Sequence, residues 1–178
     1  MRLSLQCHPD TPSQAATSVN VSPILRGDKL VELIFRIEGD VSTIVWPERS
    51  PSERTDGLWQ TTCFEMFVQS GDGPTYLEYN FSPSSRWAAY QFGGYREGMQ
   101  LLNLPHPPDI EAEAAGGSGT CTIRISIESL DSIDGANCGF SAIVEEKDGR
   151  KSYWALAHPA GQPDFHHRDC FVHKLRAT

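Results

Sequence analysis

The chain has 178 residues, 39% of them hydrophobic and 21% charged, which is the composition of an ordinary folded protein and excludes a disordered one. Its length predicts a single domain, residues 1–178. The formal charge of -8 and the lack of any basic run argue against a nucleic-acid partner, because phosphate binding depends on Lys and Arg.

The N-terminal sequence and the cysteines bear on the compartment. The chain opens MRLSLQCHPD, with no apolar run before Pro9, so we expect no secretory signal. No apolar stretch approaches the roughly 20 residues of a membrane helix, and we expect no membrane partner. The five cysteines include no closely spaced pair, which is typical of reduced thiols. Together these features predict a cytoplasmic protein.

In chain order, most periodic stretches alternate apolar and polar residues, which predicts half-buried β-strands. These stretches are residues 30–39 (LVELIFRIEG), 63–69, 76–81, 120–129 (TCTIRISIES), 140–147 and 152–157. Gly-containing turn signals separate them, at 70–73, 93–94, 115–119, 134–135 and 147–149. Many short strands joined by such turns indicate an all-β fold, an antiparallel β-sandwich or barrel.

Two stretches depart from this pattern. Residues 128–133 (ESLDSI) suggest a helical turn or a loop. Residues 104–109 (LPHPPD) carry prolines that favour extended backbone outside a ladder, so we expect a loop that crosses between two sheets.

The hairpin predicted over 63–81 has two unlike faces. One is apolar and includes Phe64, Met66 and Tyr79, whereas the other carries Glu65, Glu78 and Asn80 among cysteine and aromatic residues. Carboxylates on neighbouring strands repel each other unless a cation, a shared proton or an arginine lies between them.

Arg86 and Arg96 are the nearby arginines, and we expect at least one glutamate to hydrogen-bond with them. Two interpretations remain open for this polar face. It is either a structural Arg–Glu network or a pocket whose carboxylates and Asn80 amide bind the hydroxyls of a sugar.

Two tryptophans would complete such a pocket. Counted by two, Trp59 falls on the side of Glu65, and Trp87 flanks the end of the next strand. A pyranose needs an apolar ring for its C–H face and polar groups for its hydroxyls. The predicted ligand-binding residues are therefore Trp59, Glu65, Glu78, Asn80, Arg86, Trp87 and Arg96.

Several segments resemble the DOMON-like proteins of bacteria. These are GLWQTTCFEMFVQ, YLEYNFSPSSRWAAYQF and GGYREGM within residues 57–99, and SYWALAHPAGQPDFHHRDCF at 152–171. The resemblance implies a jelly-roll type of β-sandwich related to family-9 carbohydrate-binding modules, which hold a sugar between two tryptophan rings. Because this superfamily hosts several ligands, the resemblance does not imply one function.

The sequence offers few ligands for a cofactor or a metal ion. Haem-binding DOMON domains use an axial Met and His, but the parity of Met66 predicts a core position, so we expect no cofactor and keep haem as an alternative. His166, His167 and Cys170 lie close in sequence, yet without a second ligand pair they are weak metal candidates. No catalytic motif is evident. The sequence favours a non-catalytic domain that binds a saccharide or a similar polar small molecule, with a structural or interaction domain built on an internal Arg–Glu network as the alternative.

Overall fold

The computed structural model describes residues 1–115, 119–129 and 131–178, and β-strands dominate this part of the chain. Three short 3-10 helices, at Val41–Thr43, Leu58–Gln60 and Arg168–Cys170, interrupt them. The twelve strands of the described residues are β1 (Leu3–Cys7), β2 (Ala16–Arg26), β3 (Leu30–Gly39), β4 (Cys63–Gln69), β5 (Tyr76–Phe81), β6 (Trp87–Phe92), β7 (Gln100–Leu101), β8 (Asp109–Ala115), β9 (Thr120–Glu128), β10 (Asn137–Glu145), β11 (Lys151–Ala155) and β12 (His173–Lys174).

The strands form one curled antiparallel sheet whose two halves pack on each other. The first half has the order β1-β2-β3-β9-β8, and the second has the order β7-β6-β5-β4-β10-β11, with β12 also on β10. Strand β1 joins the halves, because Leu3–Leu5 pair with β2 whereas Gln6 and Cys7 pair with β11. The predicted antiparallel β-sandwich is confirmed.

The core lies between the two halves and follows from the alternation in the sequence. In β3, Val31, Leu33, Phe35 and Ile37 are fully buried, while the residues between them point outward. Across the core, the rings of Phe35 and Phe64 meet with centroids 4.9 Å apart, so β3 and β4 pack face to face.

The structure describes nearly all of the two stretches that departed from the strand pattern. Residues 104–108 belong to a loop that leads from β7 in the second half to β8 in the first, as predicted, whereas Asp109, the last residue of the predicted loop, begins β8. The described residues of 128–133 contain no helix, but Leu130 lies outside the described part of the chain. The predicted Gly turn at 115–119 includes residues 116–118, which also lie outside it.

Strand β4 is buried on both faces, although only one of them contacts the main core. Every residue of Cys63–Gln69 is buried, because residues 156–171, here called the closing segment, cover much of the second face. Gly139 on β10 permits this close approach, since a Cβ there would lie 2.8 Å from Cδ1 of Phe171 and 3.0 Å from the carbonyl oxygen of Cys170. Within the described ranges, no helix has the length and apolar character needed to cross a membrane.

Candidate ligand-binding groove

A groove of about 760 Å³ opens on the outer face of the second half, beside the closing segment. Strands β4, β5 and β6 contribute part of its lining, and loops supply most of the rest. The lining residues are Asp56, Gly57, Trp59, Gln60, Glu65, Glu78, Tyr90, Phe92, Arg96, Met99, Ile143, Tyr153, Pro163, Phe165 and His166. Four residues of the predicted site, Trp59, Glu65, Glu78 and Arg96, therefore line one cavity.

Strand register places the two glutamates diagonally rather than directly opposite each other. Glu65 pairs with Asn80, and Phe67 pairs with Glu78. Diagonal neighbours on one face of a sheet remain within reach of long side chains. The two carboxyl groups consequently influence each other, with Asn80 beside them.

Glu65 is only 3% exposed. Its Oε2 accepts a hydrogen bond of 2.8 Å from the Ser141 hydroxyl, whereas Oε1 accepts none from the described residues. Burial, together with the negative charge of Glu78, raises the pKa of Glu65 to about 8. Glu65 is thus mainly protonated at neutral pH and can both donate and accept a hydrogen bond.

Glu78 is held by neutral partners. The Asn80 amide donates to its Oε1 over 2.7 Å, and Nε2 of His166 lies 3.8 Å from its Oε2. Burial raises the pKa of Glu78, whereas burial and the charge of Arg96 lower the pKa of His166 to about 4. His166 is therefore neutral at pH 7, and its contact with Glu78 is not an ion pair.

The predicted hydrogen bonds between arginine and these glutamates are wrong. Arg86 pairs instead with Glu53 at 3.2 Å, and Arg96 pairs with Asp164 at 2.8 Å. The partners belong to loops, whose approach to the sheet the strand pattern does not reveal. Arg96 nevertheless lines the groove, and its charge favours the ionised forms of both Glu65 and Glu78.

Of the two predicted tryptophan platforms, only Trp59 lies in the groove, where 55% of it is exposed. Trp87 pairs with Phe81 across β5 and β6, so it faces the main core and is buried there, with the Arg54 guanidinium 4.5 Å from its ring centroid. The expectation that Trp87 contacts a ligand is wrong for this reason. Met66 lies in the same core, as its parity predicts.

Aromatic rings missed by the sequence reasoning complete the groove. Tyr90 and Phe92 lie on β6, one strand beyond the predicted hairpin, and carrying the alternation from Glu78 across to β6 would have found them. The Tyr90 hydroxyl donates to Oδ1 of Asp56 over 2.6 Å. Tyr153 and Phe165 come from β11 and the closing segment, and nothing in the alternation of the hairpin indicates them.

His166 is positioned by a cluster of rings under the groove. Its ring centroid lies 5.2 Å from those of both Phe67 and Phe92, and its Nδ1 is 2.8 Å from the Tyr76 hydroxyl. Tyr76 in turn stacks on Phe92, with centroids 4.8 Å apart. The cluster fixes the closing segment against β4 and β5.

The weak metal candidates do not converge. Nδ1 of His166 meets Tyr76, Nδ1 of His167 accepts from the Asp169 amide at 3.3 Å, and Sγ of Cys170 donates to the Asp164 carbonyl at 3.2 Å. Among the residues that the structure describes, no three His, Cys, Asp or Glu side chains are grouped to hold a metal ion.

The turn that presents Arg96 is strained. Arg96 has φ of +56°, in the left-handed region that favours glycine, within a turn closed by the Glu97 amide on the Gly94 carbonyl at 3.1 Å. The neighbouring Tyr95 hydroxyl and the Arg96 guanidinium both donate to Asp164. The turn is thereby tied to the closing segment at the rim of the groove.

This strain predicts an unusual order of stability among variants of Arg96. Arg96→Ala loses the Asp164 ion pair and keeps the strained backbone, whereas Arg96→Gly loses the same pair but relieves the strain. We therefore expect the Gly variant to be more stable than the Ala variant by about 1 kcal/mol in urea unfolding. Equal stability of the two variants would show that the turn is not strained.

Comparison with known proteins supports the fold. No protein-family model matches the chain, and no curated protein matches it. A solved candidate carbohydrate-binding protein from Bacteroides uniformis ATCC 8492 superposes with a TM-score of 0.67 at 14% identity, covering 97% of this chain and 84% of that chain.

A family-9 carbohydrate-binding module from Caldicellulosiruptor kristjanssonii is also similar. Its complex with glucose gives a TM-score of 0.56 at 8% identity, covering 94% of this chain and 78% of that one. Its complex with cellotriose gives 0.50 at 9% identity, with 89% and 75% covered. At these identities the similarity establishes a shared fold, that of the family-9 modules.

Proposed function

We propose that the protein is a non-catalytic, DOMON-like module that binds a saccharide in the groove. The observation that carries this proposal is the half-exposed Trp59 ring in the same cavity as the buried Glu65 and Glu78. The shared fold with sugar-binding modules supports it as an analogy.

The chemistry of the lining suits a sugar ring. Trp59 offers an apolar surface for the C–H face of a pyranose, as do the rings of Tyr153 and Phe165. The carboxyl of Glu65 both donates and accepts at neutral pH, and Glu78 accepts. Sugar hydroxyls likewise donate and accept, so each finds a partner there.

The alternative, a structural Arg–Glu network, requires both glutamates to be paired with arginine and covered. Arg86 and Arg96 pair elsewhere, and the glutamates line an open groove. An exposed tryptophan in the same groove as a buried carboxyl with one oxygen free of protein donors favours a ligand over an internal network.

Trp59→Ala tests the proposal. Trp59 is half-exposed, so its loss should lower the free energy of unfolding by no more than about 1–2 kcal/mol and leave the protein folded. Its role as a platform predicts at least a tenfold loss of saccharide affinity, about 1.4 kcal/mol. A glycan array first identifies the best-bound sugar, and isothermal titration calorimetry then measures its affinity.

Leu101→Ala is the matched control, because Leu101 is also exposed, at 60%, and lies on β7 outside the groove lining. It should retain full affinity. If no sugar binds below millimolar concentration, or if Trp59→Ala binds as tightly as the control, the groove is not a saccharide site.

A further inference from the structure

The glutamates of the groove differ from the buried carboxylate elsewhere in the fold. Glu146 accepts hydrogen bonds from the Ser13 hydroxyl and from the Gln14 and Ala15 amides, and Arg150 lies 3.9 Å away. Glu65 and Glu78 each accept one side-chain hydrogen bond from a neutral group, and Oε1 of Glu65 is left without a partner among the described residues. Protein donors surround the structural carboxylate, whereas the groove pair leaves an acceptor oxygen open to the groove.

The other charged side chains in and around the groove do not contact Glu65 or Glu78 as cations. Asp56 adds a third carboxylate, Arg96 pairs with Asp164 rather than with either glutamate, and His166 is neutral at pH 7. At the edge, the Lys151 ammonium donates to the backbone carbonyl of Gln60. No cation of the groove lining therefore contacts either glutamate.

Aromatic rings line the same groove. Trp59, Tyr90, Phe92, Tyr153 and Phe165 belong to its lining. The faces of such rings attract cations, most strongly where water is excluded. Buried carboxylates beside aromatic walls form a binding site for an organic ammonium group.

We propose that the saccharide bound here carries a protonated amine, with its ammonium group seated between Glu65 and Glu78. This inference rests on the proposed function and names the substrate class. An ammonium offers three donors, enough for Oε1 of Glu65, for Oε2 of Glu78 and for one further acceptor. The ammonium group thus provides the positive charge beside the two glutamates that the sequence analysis expected from an arginine.

Binding replaces the proton held by the two glutamates with the ammonium group of the ligand. In the free protein the pair retains a proton at neutral pH, because Glu65 has a pKa of about 8. The arriving ammonium favours ionisation of both carboxyl groups, so that proton passes to the buffer. Below about pH 7, where a 2-amino sugar keeps its charge, binding thus releases about one proton per ligand, and affinity rises as the pH increases from about 5.5 to 7.

Glucosamine, N-acetylglucosamine and glucose are the probes, because only the first has a protonated amine. Calorimetry at about pH 6.5, where glucosamine is charged and the glutamate pair still holds its proton, measures both affinity and proton release in two buffers of different ionisation enthalpy. We expect glucosamine to bind at least about tenfold more tightly than the other two, with proton release for glucosamine alone. In Glu65→Gln/Glu78→Gln, the preference and the proton release should both disappear.

The double variant Glu111→Gln/Glu113→Gln is the matched control, since it removes two exposed carboxylates from β8 in the other half of the sandwich. It should keep the preference for glucosamine, which separates local charge from the overall charge. Equal binding of glucosamine and glucose, or a preference that survives in Glu65→Gln/Glu78→Gln, overturns the inference and leaves saccharide binding standing. Failure of all three sugars, and of longer saccharides on the array, removes the proposed function itself.

Discussion

Replacing Glu65 with Gln is expected to stabilise the protein by several kcal/mol at about pH 9 and to change its stability little at about pH 4. Burial next to Glu78 raises the pKa of Glu65 from 4.5 to about 8. For an acid whose pKa is higher in the folded state, stability is fully present below the unfolded pKa and is lost as the pH rises toward the folded one. Glu65 therefore costs stability progressively between these two values.

The expected size follows from the shift. One pKa unit corresponds to about 1.4 kcal/mol, so ionising Glu65 in the folded protein costs on the order of 3–5 kcal/mol above its folded pKa. Gln has nearly the same shape, carries no charge, and accepts a hydrogen bond from the Ser141 hydroxyl as the carboxyl does.

Urea unfolding of the parent protein and of Glu65→Gln, at a series of pH values, measures the effect. The parent should lose stability from about pH 5 to 9, and the variant should lose clearly less, with a residual slope from Glu78, whose pKa burial also raises. Glu111→Gln, at an exposed position, should follow the parent. Parallel curves for the parent and Glu65→Gln would show that Glu65 is not buried as described.

The stability that Glu65 costs bears on its role in the groove. A fold that needed only a packed sheet would place an apolar or amide side chain at position 65. A buried carboxyl that lowers stability at neutral pH persists where it serves a ligand, which agrees with the position of Glu65 in the groove.

The sandwich could be predicted because local alternation survives folding. In residues 30–39 and 120–129 every second residue is apolar and buried, at positions 31, 33, 35 and 37 of β3 and 121, 123, 125 and 127 of β9. The same rule separated Phe64 from Glu65 on β4. Strand β2 alternates less regularly and contains Pro23, so the sequence did not predict it.

The groove could be predicted only where strands form it. Glu65 and Glu78 share a face by parity, but the turn at residues 70–75 sets the register and makes them diagonal. Trp87 follows a loop and begins β6, so its parity could not be read from β5 alone. Asp164 lies 68 residues from Arg96, and only the folded chain brings them together.

Phe64→Ala is expected to cost about 3–5 kcal/mol of unfolding free energy, and Phe67→Ala clearly less, although both rings are fully buried on the same strand. Phe64 packs between the two halves of the sandwich, against Phe35. Because β3 and β4 are each hydrogen-bonded to strands on both sides, they cannot move together to fill the cavity that loss of the ring leaves. The cost of a cavity depends on how far the surroundings collapse into it.

Phe67 faces the closing segment, where it stacks on Phe171 with centroids 5.7 Å apart and contacts His166. Apart from the short 3-10 helix Arg168–Cys170 that segment is a loop, and it can settle into the space left by the ring, which limits the loss of stability. The same movement displaces His166 from the groove, so Phe67→Ala should bind saccharide at least tenfold more weakly, whereas the folded fraction of Phe64→Ala should bind nearly normally. Urea unfolding and calorimetry on both variants measure the two effects. If Phe67→Ala costs as much stability as Phe64→Ala and keeps its affinity, the ring supports the fold rather than the groove.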